Sequence, residues 1–188
     1  MCRELKREEL TPMKKKAAAI GLMFEGIELS ERLVDGCECK KIMLDGREYT
    51  IKITNNLSQL DTDIVILKIN DNKDLAEAIA YCAAYIMYYP TPSASVVNAI
   101  ADRYYQEETE DYKNKAVCLW RLIAEKSKKL KEYVEITPED CIRACIKLIG
   151  YFESADSTAE DKFQNIEKYK KIQKNYEKEL KKSCCTLL

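Results

Sequence analysis

Apolar residues recur along this chain first at helical spacing, then at every second position, then at helical spacing again to the C-terminus. Met13, Ala17, Ile20, Phe24 and Ile27 follow one another at intervals of four and three, which places them on one face of a helix closing near Val34-Asp35-Gly36. Lys14, Lys15, Lys16, Glu25, Glu28 and Glu31 take the rest of its surface. The period then falls to two. Residues 40–44 and 47–53 flank Asp45-Gly46, a pair that tolerates the positive φ angles of a tight hairpin turn. A two-residue turn sets Leu44 opposite Arg47 and Ile42 opposite Tyr49. Residues 64–69, an apolar run broken only by Lys68, read as a third strand buried on both faces.

Helical spacing returns after residue 74. Residues 75–89 are apolar except for Glu77, and Pro90 closes the segment. A helix that is apolar all round sits in a core or against a partner. The next helix is predicted from Thr91, with Val96, Val97, Ile100 and Tyr104 inward. Acidic residues at 107–111 then open a long helix whose far end carries Lys126, Lys128, Lys129 and Lys131, a polarity that suits the helix dipole. Its seam is Tyr112, Ala116, Leu119, Ile123, Leu130 and Val134, with Trp120 beside it. A further helix runs from Thr137 to about residue 153, and Ser157-x-x-Glu160 forms a capping box for the last. That last helix, about 158–183, has a narrow stripe of Phe163, Ile166, Tyr169, Ile172, Tyr176 and Leu180 on a highly charged body. It reads as a solvated helix leaning on the core or as a coiled-coil arm.

Three prolines follow threonine, at Thr11-Pro12, Thr91-Pro92 and Thr137-Pro138. Threonine as N-cap with proline at the first helical position explains each pair and the apolar period after it. The fold expected is α+β and mostly α-helical: a helical bundle with a small antiparallel β-sheet, hairpin plus third strand, near residues 40–69. One domain is expected over 1–188, with a small β subdomain at 37–70 and a charged C-terminal helix and tail at 158–188.

Composition narrows the chemistry. The 188 residues include no histidine, which removes the commonest general base and the commonest metal ligand together. The five glycines form no phosphate-cradling loop. Nine cysteines cannot all pair within one chain, and Cys37-x-Cys39, Cys141-x-x-x-Cys145 and Cys184-Cys185 lack zinc-site spacing. Cys141 and Cys145 share a helical face with Leu148, Ile149 and Phe152 and read as small buried apolar side chains. Paired carboxylates, Asp61 with Asp63 or Glu107 with Glu110, are the remaining acid–base candidates, and each also suits a loop or a helix start. No enzyme activity, cofactor or metal is expected. The charged N-terminus lacks an apolar signal stretch, and the longest apolar run, residues 78–89, is too short to span a bilayer. An intracellular, cytoplasmic chain is the expectation.

Net charge of −1 conceals segregation: residues 73–112 carry seven acidic and two basic groups, whereas residues 113–188 carry seventeen basic and twelve acidic. Two lysine clusters are therefore candidate phosphate contacts, Lys126, Lys128, Lys129 and Lys131, and Lys168, Lys170, Lys171 and Lys174. Tyr81, Tyr85, Tyr88, Tyr89 and Tyr104 offer aromatic faces for bases, and at helical spacing also suit core packing. Cys185-Thr186-Leu187-Leu188 fits a C-terminal prenylation box apart from its non-aliphatic Thr186, with Cys184 as a second lipid position. The function expected is a non-catalytic helical interaction protein, an adaptor or assembly subunit with another protein or a second copy as partner. The alternatives are two. One is a small nucleic-acid-contacting subunit of a ribonucleoprotein, binding RNA or single-stranded DNA, by analogy of size and helical class with the small subunits of CRISPR effector complexes. The other is a peripheral membrane protein held through a prenylated Cys185.

Overall fold

The computed structural model describes residues 3–4, 34–35, 39–44, 47–52, 59–89, 91–154 and 159–185. The chain is mostly helical and divides into two compact units, Met1–Ile100 and Ala101–Leu188.

In the first unit, β1 (Arg3–Glu4) pairs antiparallel with β2 (Val34–Asp35). Likewise β3 (Cys39–Leu44) pairs antiparallel with β4 (Arg47–Lys52), with Leu44 opposite Arg47 and Ile42 opposite Tyr49. Among the described residues each ladder has two strands. Helix α1 (Gln59–Asp71) follows and packs on α2 (Leu75–Tyr88), which also lies against β3 and β4. The expected three-stranded sheet is therefore not formed, because residues 64–69 belong to α1. A short apolar run carries no period of its own that separates strand from helix. Here Thr62 and Ile69, seven residues apart and so on one helical face, are buried, and the Thr62 hydroxyl meets the Tyr85 hydroxyl at 2.7 Å. Packing on α2 overrides the strand preference of the β-branched residues.

Asp74 caps α2, its side chain accepting the backbone N–H of Ala76 at 2.9 Å. Residues 82–87 of α2 are all buried, as the unbroken apolar sequence requires. Helix α3 (Ala94–Tyr105) begins two residues after Pro92, and Ser93 rather than Thr91 caps it: the Ser93 hydroxyl accepts the N–H of Ser95 at 3.2 Å. Val96, Val97 and Ile100 point inward.

The second unit is built on α4 (Glu110–Ala124), α5 (Lys128–Lys131), α6 (Pro138–Glu153) and α7 (Ala159–Cys185). Helix α6 packs against both α4 and α7. Its start has the expected cap: the Thr137 hydroxyl accepts the Asp140 N–H at 3.2 Å, and the Asp140 carboxylate accepts the Thr137 N–H at 3.1 Å. Trp120, Ile123, Cys141, Cys145, Leu148, Phe152 and Tyr169 form the core.

The single long helix expected from the acidic residues at 107–111 through Val134 is broken. Helix α4 stops at Ala124, and Lys126 adopts φ 45°, the left-handed region usually left to glycine. The Lys126 N–H then reaches the Ile123 carbonyl and the Ser127 N–H the Leu122 carbonyl, both at 2.9 Å, closing a Schellman cap. The lysines at 126–131 consequently lie beyond α4; Arg121 occupies its last turn.

The N-terminal helix expected from Met13, the Thr11-Pro12 cap, the Asp45-Gly46 turn, Pro90 and the Ser157 capping box lie outside the described residues.

Candidate binding surface

Helix α7 presents two faces of opposite character. Tyr169 is buried, and Ile166, Ile172, Tyr176 and Leu180 are half-buried, at the three- and four-residue spacing that keeps them on the side facing the unit's core. The expected stripe is thus the packing seam, with one exception: Phe163 is 74% exposed.

The other face is basic. Lys170, Lys174, Lys178 and Lys182 are spaced four apart, and Lys171, Lys174, Lys178 and Lys181 fill the same arc; all six residues are exposed. From residue 170 to 182 the acidic side chains are turned elsewhere. Glu177 is half-buried and accepts the Gln173 amide at 2.8 Å, and Glu179 pairs with Lys126 at 3.5 Å. Among the described side chains, Glu167 is the acidic residue on the exposed arc, and it lies between Phe163 and Lys170. The ridge of lysines extends about 18 Å, at 1.5 Å of rise per residue.

Two of the lysines expected to contact phosphate serve the fold instead. Lys168 donates to Glu125 at 2.6 Å, and the buried Tyr169 hydroxyl donates to the same carboxylate oxygen at 3.1 Å. Burial opposes the Glu125 charge, but these two hydrogen bonds outweigh it and hold the carboxyl below its ordinary range. The Glu125 hydrogen bond in turn holds Lys168 above the ordinary lysine value. Lys126 sits 4.4 Å over the Tyr176 ring, and the Tyr176 hydroxyl donates to the Ala124 carbonyl at 3.2 Å. Burial, followed by the neighbouring Cys141, pushes the Tyr176 hydroxyl up.

Of the remaining candidates, Lys128 and Lys131 are exposed on α5, whereas the Lys129 side chain lies outside the described residues. Lys170, Lys171 and Lys174 share the α7 ridge. The structure therefore splits the first expected cluster, and in the second, which the charge count runs from Lys168 to Lys182, it sets Lys168 apart and leaves Lys178, Lys181 and Lys182 on the ridge. Their shared phase on α7 is what charge counting alone does not resolve.

Helix α7 reaches Cys185, and the side chains of Cys184 and Cys185, with residues 186–188, lie outside the described residues. Tyr85 is buried and stacks on Tyr89 at 4.7 Å, and Tyr104 stacks on Tyr112 at 5.6 Å, so these rings pack against other tyrosines. Tyr81 is half-buried and the Tyr88 side chain is outside the described residues. Glu107 pairs with Arg103 at 2.7 Å, Glu110 is exposed in the first turn of α4, and Asp63 is exposed on α1; the Asp61 side chain is outside the described residues. Ile64 and Leu67 are exposed on α1 as well.

The thiols of Cys82, Cys141 and Cys145 are buried, and burial pushes Cys145 up to about 12. Cys141 points its sulfur at the Ile123 carbonyl, 3.4 Å away. Such thiols are poor nucleophiles and poor metal ligands, since both roles need the thiolate. Among the described residues, no group of three or more histidine, cysteine, aspartate or glutamate side chains is placed to hold a metal ion. No helix among them is long and apolar enough to cross a membrane.

Comparison of the chain with protein-family models, with curated proteins and with solved structures found no match.

Proposed function

We propose that this chain is a non-catalytic interaction protein, an assembly subunit that docks an anionic partner along the outward face of α7. One observation carries the reading: six exposed lysines share one face, while Glu177 and Glu179 are held on the flanks by Gln173 and Lys126. A ridge of like charge repels itself, at a small but real cost in stability. An anionic partner removes that repulsion and releases condensed counterions, so the face gains on binding what it loses alone.

The whole chain carries a net charge of −1, so bulk charge gives it no attraction to a polyanion. That makes retention on immobilised heparin a direct test. The wild-type chain is retained at about 50 mM salt and released as salt rises, whereas the Lys170→Gln, Lys171→Gln, Lys174→Gln, Lys178→Gln variant passes through. Equal retention of the two proteins contradicts the reading.

A further inference from the structure

We infer that the partner of the α7 ridge is single-stranded nucleic acid, with Phe163 as a platform on which one base stacks. This rests on the reading of the outward face as the binding surface.

Phe163 is the observation that a bare cationic ridge does not explain. Among the large apolar side chains of the described residues it is the most exposed at 74%, and it stands on α7 in line with Lys170, Lys174 and Lys181. Spacings of seven, eleven and eighteen residues from Phe163 are near-integral numbers of helical turns, so the ring and the three ammonium groups occupy one row. Its neighbours on the packed stripe, Ile166 and Tyr169, turn inward; Phe163 does not.

Single-stranded nucleic acid has both chemistries in one polymer: phosphates at regular intervals, and bases whose faces are free when the strand is unpaired. A cationic track beside an exposed aromatic ring is the arrangement that binds such a strand without demanding a sequence. Duplex DNA offers the phosphates but keeps its base faces stacked, so it leaves Phe163 without a partner. An anionic lipid surface accepts a lone phenyl ring and lysines too, but a helix lying in the interface buries a broad apolar face there. The outward arc of α7 from 170 to 182 is instead lysine throughout, apart from Asn175 at its margin. Glu167, between the ring and the ridge, repels phosphate locally, which leaves Lys170 through Lys182 to follow the backbone and Phe163 to meet a base beyond it.

The distance from Phe163 to Lys182 along α7 is about 28 Å, long enough for a strand of several nucleotides. If every ridge lysine engages one phosphate, the slope of log K against log salt is about −4 for a single strand.

The test is fluorescence anisotropy of the full chain with labelled single-stranded oligonucleotides of about 12 residues, RNA and DNA of mixed sequence. A duplex of equal length, heparin and phosphatidylserine vesicles are the comparison probes. The inference expects the single strand to bind more tightly than the duplex, with a steep salt slope. Phe163→Ala weakens the single strand by at least about fivefold and leaves duplex and heparin binding unchanged, while Phe163→Trp retains it. Circular dichroism confirms that each variant keeps its helix content; the exposed ring leaves no core void when removed. Binding of heparin or vesicles through the lysines, with no preference for the single strand and no effect of Phe163→Ala, overturns this inference and keeps the anionic-partner reading. Loss of all polyanion binding by the wild-type chain overturns both.

Discussion

Replacing Glu125 by alanine tests whether the cluster at the end of α4 holds α7 in place. The carboxylate accepts two hydrogen bonds from α7, from Lys168 at 2.6 Å and from Tyr169 at 3.1 Å. They differ in worth. Lys168 and Glu125 are each more than a third exposed, so solvent screens the pair and it contributes at most about 1 kcal/mol. Tyr169 is fully buried, and its hydroxyl loses its acceptor when the carboxylate goes, which costs about 1–3 kcal/mol. Glu125→Ala should therefore destabilise the chain by about 2 kcal/mol at pH 7, read from urea unfolding followed by circular dichroism. Tyr169→Phe removes the same hydrogen bond from the other side. In that background Glu125→Ala should cost no more than the screened pair, about 1 kcal/mol, so the two substitutions couple by roughly 1 kcal/mol. Glu125→Gln adds a pH signature. The folded-state carboxyl lies below its ordinary value, so the charge stabilises the fold above the unfolded pKa and loses that effect as pH falls through the folded one. The gap between wild type and Glu125→Gln should thus be constant from pH 7 down to about 5 and close towards pH 3. Strictly additive substitutions, or a gap that persists undiminished at pH 3, refute the assignment.

Other expectations follow from the same geometry. Lys126→Gly should be more stable than Lys126→Ala by about 1 kcal/mol, because only glycine takes φ 45° without strain; equal stability in thermal melts contradicts the cap described. Thr137→Ala should lower stability by about 1 kcal/mol through loss of the reciprocal cap with Asp140, and Thr137→Ser should restore most of it. With the native chain and a thiol reagent at pH 8, exposed Cys118 should label rapidly whereas Cys82, Cys141 and Cys145 should label only on unfolding. Rapid native labelling of Cys145, located by peptide mass mapping, contradicts its burial.

Among the described residues, helices α6 and α7 were legible from their period. The seam of α6, its Thr137 cap and the inward stripe of α7 all follow from spacing, because one buried face imposes its period on the sequence. What misled was a segment without a period. Residues 64–69 are apolar at nearly every position, and they coil as α1, which packs on α2 with Thr62 and Ile69 buried. The break at Lys126 left no trace either, since neither glycine nor proline marks it. Tyr176 and Glu179, which engage the Lys126 side chain, come from α7, far away in sequence. The binding face was half legible for a related reason. Net charge located the basic region, yet lysines of one cluster divide between structural pairs and an open ridge according to which neighbours Glu125 and Glu179 reach. Phe163 continues the three-residue spacing that leads to Ile166, yet its spacing from Lys170, Lys174 and Lys181 already sets it on the lysine row, and in the structure it is exposed.

The most direct measurement of the central claim is the salt dependence of single-strand binding, for wild type and for Lys174→Gln, Lys178→Gln and Lys168→Gln. The account predicts that each ridge substitution reduces the slope by about 0.7, whereas Lys168→Gln, whose ammonium is held by Glu125, leaves it nearly unchanged. A slope that ignores the ridge lysines, or that falls as much for Lys168 as for Lys174, contradicts it.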